Sequence, residues 1–292
     1  MDSRYLTSLI AVIEQGSIAD AARVEGLTAA AVSQRIKVLE RQFGFDLLSR
    51  DGHAAKPTDA CLRILPRARH IVGDFGLLAG DIDPTGLSGT LRIGAISTAL
   101  TGMLPAALRQ LANSAGAIRP VIVPGTSKSL YGAMLEDQLD AAILVAPPFA
   151  LPKTLRARAL RKEPLIFLSK TKPRPDILGM LASRPYLRYD PASWGGRHAE
   201  QYLSDIACMP VPMCDLDALE AIAMLVEDDV GVSLVPHWPG LERMARHCRL
   251  TPIAGARYHR EVVVLSKVAA DRPAMVGALI QALMGSAADW VG

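Results

Sequence analysis

Cysteine is scarce in this 292-residue chain, and the four that occur, Cys61, Cys208, Cys214 and Cys248, form no C-x-x-C pair. Their spacing indicates neither a zinc knuckle nor a disulfide framework. The chain also has no apolar run of the roughly 18 residues that a membrane span requires. Its amino end carries an acidic residue and no small-residue cleavage site. We therefore expect a cytoplasmic protein with reduced thiols and no membrane contact.

Signatures of catalysis are also missing. The sequence contains no H-E-x-x-H, G-x-S-x-G or G-x-x-x-x-G-K-[ST] pattern, and no C-x-x-C follows His198-Ala199-Glu200 to complete a deaminase motif. The six histidines are dispersed along the chain, which argues against a metal site. These absences predict a protein that is not an enzyme and that needs no cofactor.

A helix-turn-helix pattern lies between Gly16 and Arg50. Gly16 is suited to end one helix, Ser17 to cap the second and Thr28 to cap the third. The third helix has an apolar face, on which a helical wheel places Ala29, Val32, Ile36, Leu39 and Phe43. The opposite face carries Ala30, Gln34, Lys37 and Arg41. We expect the first face to be buried and the second to be exposed.

The exposed face carries side chains that can read a DNA major groove. Gln34 offers an acceptor and donors to a base edge, Lys37 and Arg41 reach guanine or phosphate oxygens, and Ala30 can touch a thymine methyl. Periodicity alone fits a helical hairpin with a solvated charged face equally well. The pattern therefore predicts a DNA reader but leaves that alternative open.

A β-hairpin is predicted directly after the third helix. Two short extended segments, Leu47–Arg50 and Ala54–Pro57, flank Asp51-Gly52-His53, and Asp-Gly is a strong turn signal. Arg50 either contacts DNA from this hairpin or forms an ion pair with Asp46 or Asp51.

Several residues of this region occur in a distinctive order and spacing: Ala21-Ala22, Ala31-Val32-Ser33, Ile36, Leu39-Glu40, Gly44, Leu47-Leu48, Arg50 and Pro57-Thr58. This series resembles the N-terminal signature of LysR-type transcriptional regulators. The run AVSQRIKVLE, followed by LLSR and KPT, is most similar to the subgroup that includes regulators of arginine and lysine export. The chain departs from the family pattern at Glu25, where leucine is usual, at Ala29 and Ala30, where glutamine and proline are frequent, and at Cys61, where glycine is usual.

The resemblance implies a winged helix-turn-helix domain in residues 1–58 that binds double-stranded promoter DNA as a homodimer or homotetramer and contacts RNA polymerase. The implied DNA-binding residues are Ser17, Thr28, Ala29, Ala30, Ser33, Gln34, Lys37, Arg41, Arg50 and Lys56. Up to Ala60, seven lysines and arginines face eight acidic residues, so the segment has no positive excess. Because positive charge supplies much of the affinity for DNA, we expect two subunits to combine local positive patches formed by Arg35, Lys37, Arg41, Arg50 and Lys56.

The next segment, residues 59–89, is predicted to be a linker and dimerisation helix with a hinge. Thr58 is placed to cap this helix, and Pro66 is expected to bend it. Its apolar positions are spaced for one helix face: Leu62, Leu65, Ala68, Ile71, Val72, Phe75 and Leu78. The stretch from Asp83 to Gly89 is dense in helix breakers, and we place the domain boundary there.

From Thr90 onward, apolar strands alternate with helical stretches, which predicts an α/β arrangement with mainly parallel sheets. The predicted strands are TLRIGAIS, PVIVPG, DAAILVA, PLIFLS, YLRYD, GVSLVP and EVVVLS. Their order resembles the effector domain of the same family, which has two lobes similar to periplasmic binding proteins. The resemblance implies one lobe in residues 90–161 plus 267–292, a second lobe in residues 162–266, and a ligand cleft between them.

Hydroxyl groups stand at two predicted strand-to-helix junctions. Ser97 and Thr98 precede a helix expected over Ala99–Leu111, and Thr126 and Ser127 precede a helix near Leu130. Free amide donors and hydroxyls at such positions suit an anion, although ordinary N-capping also explains them. The effector-binding residues implied by position in the family are Ser97, Thr98, Thr126, Ser127 and Asp217.

Three residues of the second lobe are candidates for the cleft, and two of them have a second interpretation. Tyr189 and Trp194 could form aromatic walls of the cleft, and Trp194, in a glycine-containing loop, could instead be a packing residue. Asp217 could bind a ligand amine or cap the helix that follows it.

We expect the cleft to bind a small-molecule effector, a carboxylate or an amino acid. One alternative is redox sensing through Cys208 and Cys214, whose neighbours supply no positive charge to activate a thiol. Another class, a two-lobed small-molecule binding protein without a DNA role, would require export and would leave the first 60 residues without a use.

Overall fold

The computed structural model describes residues 2–49, 55–77, 83–174, 176–255 and 257–288. The chain divides into two compact units, one formed by Met1–Pro84 with Glu136–Gln138 and the other by Thr85–Leu135 with Leu139–Gly292. The division falls between Pro84 and Thr85, inside the stretch where the sequence places the domain boundary.

The first unit consists of helices and a small hairpin. Its elements are α1 (Ser3–Gln15), α2 (Ile18–Glu25), α3 (Ala29–Phe43), β1 (Leu48–Ser49), β2 (Lys56–Pro57) and α4 (Asp59–Leu77). Strands β1 and β2 are antiparallel. The segment between them, from Arg50 to Ala54, carries the predicted turn and lies outside the described residues.

The caps of these helices are where the sequence predicts them. Gly16 ends α1 in the left-handed conformation, with a φ of 72°, which glycine adopts without steric cost. The Ser17 hydroxyl accepts the N–H of Asp20 at 3.0 Å, and the Thr28 hydroxyl accepts that of Ala31 at 3.2 Å. The Thr58 hydroxyl accepts the N–H of Cys61 at 3.1 Å and so caps α4.

The core of the first unit forms between α1, α2, α3 and α4. Val32, Ile36 and Leu39 of α3 are buried, as predicted. Phe43 is only half-buried, and Ala29, also expected in this core, is exposed. Ala29 is the first residue of α3 and therefore lies ahead of the turns that pack on the other helices.

Helix α4 has two apolar regions rather than the single predicted face. Cys61, Leu65 and Ala68 are buried in the unit's core, and the helix continues through Pro66. Further along, Ile71 and Phe75 are exposed, by 37% and 62%. Between them, Val72 is partly buried against the same core. Leu62 is also exposed, and Leu78 lies outside the described residues.

The second unit contains the remaining elements. They are β3 (Gly89–Ala95), α5 (Ser97–Thr101), α6 (Leu104–Ser114), β4 (Ile118–Pro124), α7 (Ser127–Leu135), β5 (Ala141–Val145), β6 (Leu155–Ser169), α8 (Ile177–Ser183), β7 (Tyr186–Tyr189), α9 (Arg197–Asp205), β8 (Pro212–Leu216), α10 (Leu219–Glu227), β9 (Ser233–Pro236), α11 (Leu241–Met244), β10 (Arg249–Pro252), β11 (His259–Lys267) and α12 (Pro273–Ala288).

The sheets of this unit are mixed, so the prediction of mainly parallel sheets is wrong. The large sheet has the order β10-β6-β11-β5-β3-β4, with β9 also paired to β6. Its pairs β3–β4 and β3–β5 are parallel, whereas every pair that involves β6 or β11 is antiparallel. The separate pair β7–β8 is parallel. The sheet departs from the predicted parallel arrangement at its centre, where the long strands β6 and β11 pair with each other in opposite directions.

Local details also differ from the sequence prediction. Strands β8 and β10 were not predicted, and the helix expected over Ala99–Leu111 is divided into α5 and α6 at Gly102. A Cβ at Gly102 would lie 2.5 Å from the carbonyl oxygen of Pro239 and 2.7 Å from that of Thr98. Glycine at this break therefore allows the backbone of Pro239 to approach more closely than any other residue at position 102 would permit.

Two groups of buried side chains define two lobes within this unit. Lobe 1 surrounds a core drawn from Leu91 to Leu155 and from Val262 to Leu283, and lobe 2 surrounds cores drawn from Leu165 to Tyr258. Strands β6 and β11 connect the lobes. Val262–Leu265 of β11 belong to the core of lobe 1. The sequence places the second crossing between the lobes after residue 266. In the structure β11 is itself the crossing strand, so the chain already enters lobe 1 within this strand.

No helix among the described residues combines the length and the apolarity needed to cross a membrane.

Candidate nucleic-acid interface and ligand cleft

The outer face of α3 presents the polar side chains that the sequence assigns to DNA. Gln34, Lys37 and Arg41 are exposed and border a groove together with Phe45 and Asp46. The Nε of Arg41 donates to the backbone oxygen of Lys37 at 3.3 Å. The three side chains are free of ion pairs among the described residues and point away from the buried face of the helix, so their charges and amide group remain available to a partner.

An internal polar cluster joins the first three helices behind this face. The Ser8 hydroxyl of α1 donates to Glu25 of α2 at 2.7 Å, and Arg35 of α3 donates to Ser8 at 2.9 Å and to Glu25 at 3.3 Å. Arg35 therefore turns inward, in contrast to the prediction that it belongs to a positive surface patch. The cause is the Glu25 carboxylate, whose side chain is only 9% exposed and requires a counter-charge.

Glu40 has a structural role that the sequence did not suggest. Its Oε1 accepts the N–H groups of Leu47 at 2.9 Å and Leu48 at 3.3 Å. These two residues lead into β1, so the bonds tie the start of the hairpin to the end of α3. The start of β1 is thereby held at the C-terminal end of α3.

The other predicted DNA-binding residues occupy varied positions. Ser17 and Thr28 are helix caps, Ala30 is exposed in the first turn of α3, Ser33 is half-buried and Lys56 is exposed on β2. Ala29 lies next to Ala30 and is exposed too. Arg50 lies outside the described residues, so its predicted roles stay predictions.

A cavity of about 590 Å³ lies between the two lobes. All seven predicted effector-binding residues line it: Ser97, Thr98, Thr126 and Ser127 from lobe 1, and Tyr189, Trp194 and Asp217 from lobe 2. The lining also includes charged residues that sequence reasoning missed, namely Lys128, Asp190 and Arg260. The structure thus gathers residues from distant segments into one cleft.

The hydroxyl groups on the lobe 1 side have different hydrogen-bond partners. Thr126 accepts the N–H of Ser129 at 3.2 Å, which is the ordinary N-cap that the sequence left as an alternative. The Ser127 hydroxyl accepts the N–H of Val145 at 3.1 Å and is buried. Ser97 is the first residue of α5, whose N-cap is Ile96, so the expected cap at Ser97 is not formed.

Arg260 lies between the lobes and contacts both of them. This side chain on β11 is 3% exposed, and its Nε donates to Glu163 of β6 at 2.7 Å. Its Nη2 donates to the Thr98 hydroxyl at 2.8 Å and its Nη1 to the Tyr189 hydroxyl at 3.3 Å. Burial lowers the pKa of the Arg260 guanidinium, but the Glu163 carboxylate and the Tyr189 hydroxyl together raise it above its ordinary value, so the group stays charged.

The lobe 2 side of the cleft is acidic. Asp217 is exposed to the cleft. Partial desolvation by the surrounding protein and the negative charge of Asp190 raise the pKa of its carboxyl group. Asp190 itself accepts the N–H of Ala192 at 2.9 Å. This wall is therefore suited to a group that donates hydrogen bonds or carries positive charge.

Trp194 lines the cleft and packs against two aromatic rings of lobe 1. Its ring centroid lies 5.8 Å from that of Tyr131 and 5.5 Å from that of Phe149, both of lobe 1, in edge-to-face geometry. Trp194 thus combines the two roles that the sequence suggested, because it lines the cleft and also packs against other aromatic rings.

The four cysteines are free thiols. Cys208 packs against a cluster around Phe167 and Tyr186, and Cys214 packs against a different cluster around Leu187 and Leu219. The two thiols thus belong to separate cores. Within the described residues, no group of three or more His, Cys, Asp and Glu side chains is placed to hold a metal ion.

Two family models match this chain, and together they cover most of it. Residues 3–62 match the bacterial regulatory helix-turn-helix protein, lysR family, and residues 84–288 match the LysR substrate binding domain. The chain belongs to the LysR family. This family comprises transcriptional regulators and not enzymes, which agrees with the missing catalytic signatures.

Curated relatives of this LysR-family protein include regulators of different kinds. A probable hydrogen peroxide-inducible genes activator of Mycobacterium leprae is 30% identical over 146 residues, 49% of this chain and 46% of the relative. The transcriptional regulator ArgP of Pseudomonas aeruginosa is 29% identical over 196 residues, 65% of each chain. The chain thus aligns with about half to two thirds of the length of these relatives.

Solved structures of full-length regulators share its fold. A full-length OxyR variant from Pseudomonas aeruginosa superposes with a TM-score of 0.70 and is 20% identical in sequence. The alignment covers 97% of this chain and 94% of the OxyR chain. CbnR, a LysR family transcriptional regulator, superposes with a TM-score of 0.68 and is 19% identical in sequence. The alignment covers 98% of this chain and 99% of the CbnR chain. At such identities the likeness concerns the fold alone.

Proposed function

We propose that this LysR-family protein is a cytoplasmic, sequence-specific transcriptional regulator that reads promoter DNA with the outer face of α3. Its activity is controlled by a small molecule, a carboxylate or an amino acid, in the cleft between the lobes. In this proposal residues 1–58 bind DNA and residues 59–89 link and dimerise the subunits. We place the first effector lobe in residues 90–161 with 267–292 and the second in residues 162–266, with the crossing strand β11 contributing Val262–Leu265 to the core of lobe 1.

The observation that carries the DNA-binding part is the exposed set Gln34, Lys37 and Arg41 on a helix whose opposite face is buried. Gln34 can address a base edge, and the two cations can reach guanine or phosphate oxygens. Because the unit has no excess of positive charge, a dimer or tetramer is required for useful affinity. The exposed Ile71 and Phe75 of α4 are suited to hold such subunits together, and contact with RNA polymerase follows once the protein is bound at a promoter.

The observation that carries the ligand-binding part is the convergence of seven residues on one cavity. Its volume of about 590 Å³ falls in the usual range for small-molecule sites. Lys128 and Arg260 lie in the lining together with the acidic wall formed by Asp190 and Asp217. A carboxylate suits the cations, and the amine of an amino acid suits the acidic wall.

The DNA-binding part is tested by selecting sequences from a random double-stranded library with the full-length protein and measuring affinity by fluorescence anisotropy. We expect Gln34→Ala to relax preference at one base position at a cost of about 1–3 kcal/mol. Lys37→Ala should weaken binding and reduce the salt slope by about 1. Gln42→Ala, an exposed change on another face of α3, is the matched control. A wild-type protein that enriches no sequence would contradict this part.

The ligand-binding part is tested by a thermal-shift screen of amino acids and small carboxylates. A ligand that binds the folded state raises the melting temperature by linkage. The largest increases in melting temperature should come from compounds that carry a carboxylate. The Asp217→Asn variant should show a smaller increase only for those compounds that also carry an amine. Equal shifts in this variant and in the wild type would argue against an amine at Asp217.

A further inference from the structure

We propose that Arg260 is the anion-binding residue of the cleft and that a ligand carboxylate binds by hydrogen bonding to its guanidinium group. This inference rests on the proposed function, because it names the side chain that recognises the effector. Arg260 was not among the residues that the sequence suggested, and its place in the cleft follows only from the fold.

The hydrogen bonds of Arg260 leave donors for a ligand. A guanidinium group carries five N–H donors in one plane, of which each terminal nitrogen has two. Nε donates to Glu163, Nη1 to Tyr189 and Nη2 to Thr98. Each terminal nitrogen thus retains one N–H beyond these bonds. Arginine is the side chain best matched in geometry to a carboxylate, and Arg260 lines the cavity.

The buried position of Arg260 makes it selective for charge. In a site of low dielectric constant an ionic hydrogen bond is stronger than in water. Glu163, which is 1% exposed, already supplies one negative charge. A ligand carboxylate therefore competes with Glu163 for the same cation, so the charge of Glu163 sets the affinity of Arg260 for an anion.

The same contacts link binding to both lobes. Thr98 belongs to lobe 1 and Tyr189 to lobe 2, while Arg260 and Glu163 lie on the two crossing strands. A carboxylate that draws the guanidinium group toward itself changes its bonds to all three neighbours. Occupation of the cleft is thus transmitted to each lobe through one side chain.

The test compares carboxylates with their uncharged amides by isothermal titration of the full-length protein. The probes are acetate, benzoate, L-alanine and L-arginine, each paired with its primary amide. We expect the wild type to bind at least one carboxylate at least tenfold tighter than the matching amide. Glu163→Gln should raise the affinity for that carboxylate several-fold, because it removes the competing negative charge.

A charge-neutral double variant separates recognition from structural support. Arg260→Gln alone leaves Glu163 buried without a counter-charge and destabilises the fold. Arg260→Gln combined with Glu163→Gln removes both charges and should fold, as monitored by thermal unfolding. In this variant the preference for carboxylate over amide should fall below threefold. The matched control is Arg92→Gln with Asp140→Asn, which neutralises another ion pair of the same unit that does not line the cleft.

Three results would overturn the inference. One is a folded double variant that keeps the wild-type preference for carboxylate. Another is a lower carboxylate affinity in Glu163→Gln. In both cases a cleft that still binds ligands would leave the proposed function intact. The third result, no binding of any probe to the wild type or to Glu163→Gln, would contradict the ligand-binding part of the proposed function as well.

Discussion

The Arg35 guanidinium and the Glu25 carboxylate lie 3.3 Å apart beneath the α3 face that presents Gln34 and Lys37. Their side chains are only 21% and 9% exposed, and both bond to the Ser8 hydroxyl. These contacts form a charged link between α1, α2 and α3. The link connects α3 to the other two helices.

We predict that Glu25→Ala lowers the free energy of unfolding by about 1–3 kcal/mol, because Arg35 is left without its counter-charge in a largely buried position. Scanning calorimetry of the full-length protein measures the loss. Glu25→Leu combined with Arg35→Leu should recover most of the stability, since an apolar pair needs no counter-charge. Gln42→Ala serves as the exposed control, and an unchanged unfolding profile for Glu25→Ala would show that the pair contributes nothing.

A second prediction concerns pH and Glu227, at the end of α10. Partial burial raises the pKa of its carboxyl group, but hydrogen bonds from His247, Cys248 and Lys170 lower it by more, from 4.5 to about 2. The folded state therefore binds a proton less readily than the unfolded state, and the stabilisation is lost as pH falls from 4.5 toward 2.

Glu227→Gln should accordingly lower the melting temperature at pH 7, and its difference from the wild type should shrink in that acidic window. Melting curves at a series of pH values provide the measurement. Asp228→Asn, an exposed change at the next position, should show no such trend. A difference that stays constant with pH would contradict the assignment.

A third prediction concerns the approach of the lobes at Gly102. A Cβ at this position would lie 2.5 Å from the carbonyl oxygen of Pro239 in lobe 2. Gly102→Ala should therefore push the lobes apart and lower both the melting temperature and the affinity for the ligands found in the screen. Gly132→Ala is the matched control, because no atom lies within 4 Å of its added Cβ and alanine favours a helix. Equal behaviour of the two variants would count against a tight approach at Gly102.

A fourth prediction concerns the thiols. Because Cys208 and Cys214 pack in separate cores, we expect peroxide to form no disulfide between them in the folded protein. Mass spectrometry after peroxide treatment and alkylation should show no linked peptide. Cys208→Ser combined with Cys214→Ser should leave promoter binding and its response to ligand unchanged. A peroxide-dependent change in promoter binding that this variant abolishes would instead establish redox sensing.

A fifth prediction concerns subunit association through α4. Phe75 is 62% exposed one helical turn from Ile71, and an exposed apolar strip of this kind favours contact with another chain. Phe75→Glu should shift the protein toward the monomer in analytical ultracentrifugation and weaken promoter binding. Arg63→Glu, exposed on a different side of the same helix, should leave the mass distribution unchanged. A monomeric wild-type protein would remove the basis of this prediction.

Short-range sequence patterns predicted most of the first unit. The caps at Ser17, Thr28 and Thr58 each depend on an N–H group three residues away, and the division of α3 into buried and exposed faces follows from the helical repeat. Arg35 is one exception, beside the exposed Ala29 and Leu62. Its inward orientation depends on Glu25 of a different helix, and such a partner cannot be recognised from the periodicity of α3.

The cleft likewise combines residues that local sequence patterns predicted with a residue that they did not. Hydroxyls before helices indicated Thr98 and Thr126, because strand-to-helix junctions carry a local signal. Arg260 carried none, since it lies in a strand and its partner Glu163 is 97 positions away. The antiparallel pairing of β6 with β11 brings the two together.

The amino-acid sequence by itself determined the helices of the first unit, the exposed polar face of α3 and most of the strands, because each of these depends on neighbours within a few residues. The tertiary structure alone decided the directions in which strands pair, the separation of Cys208 from Cys214 and the position of Arg260 between the lobes. The physical reason is that alternation along a strand specifies which side chains are buried but not which strand lies alongside, and only the packed fold brings distant charges within hydrogen-bond distance.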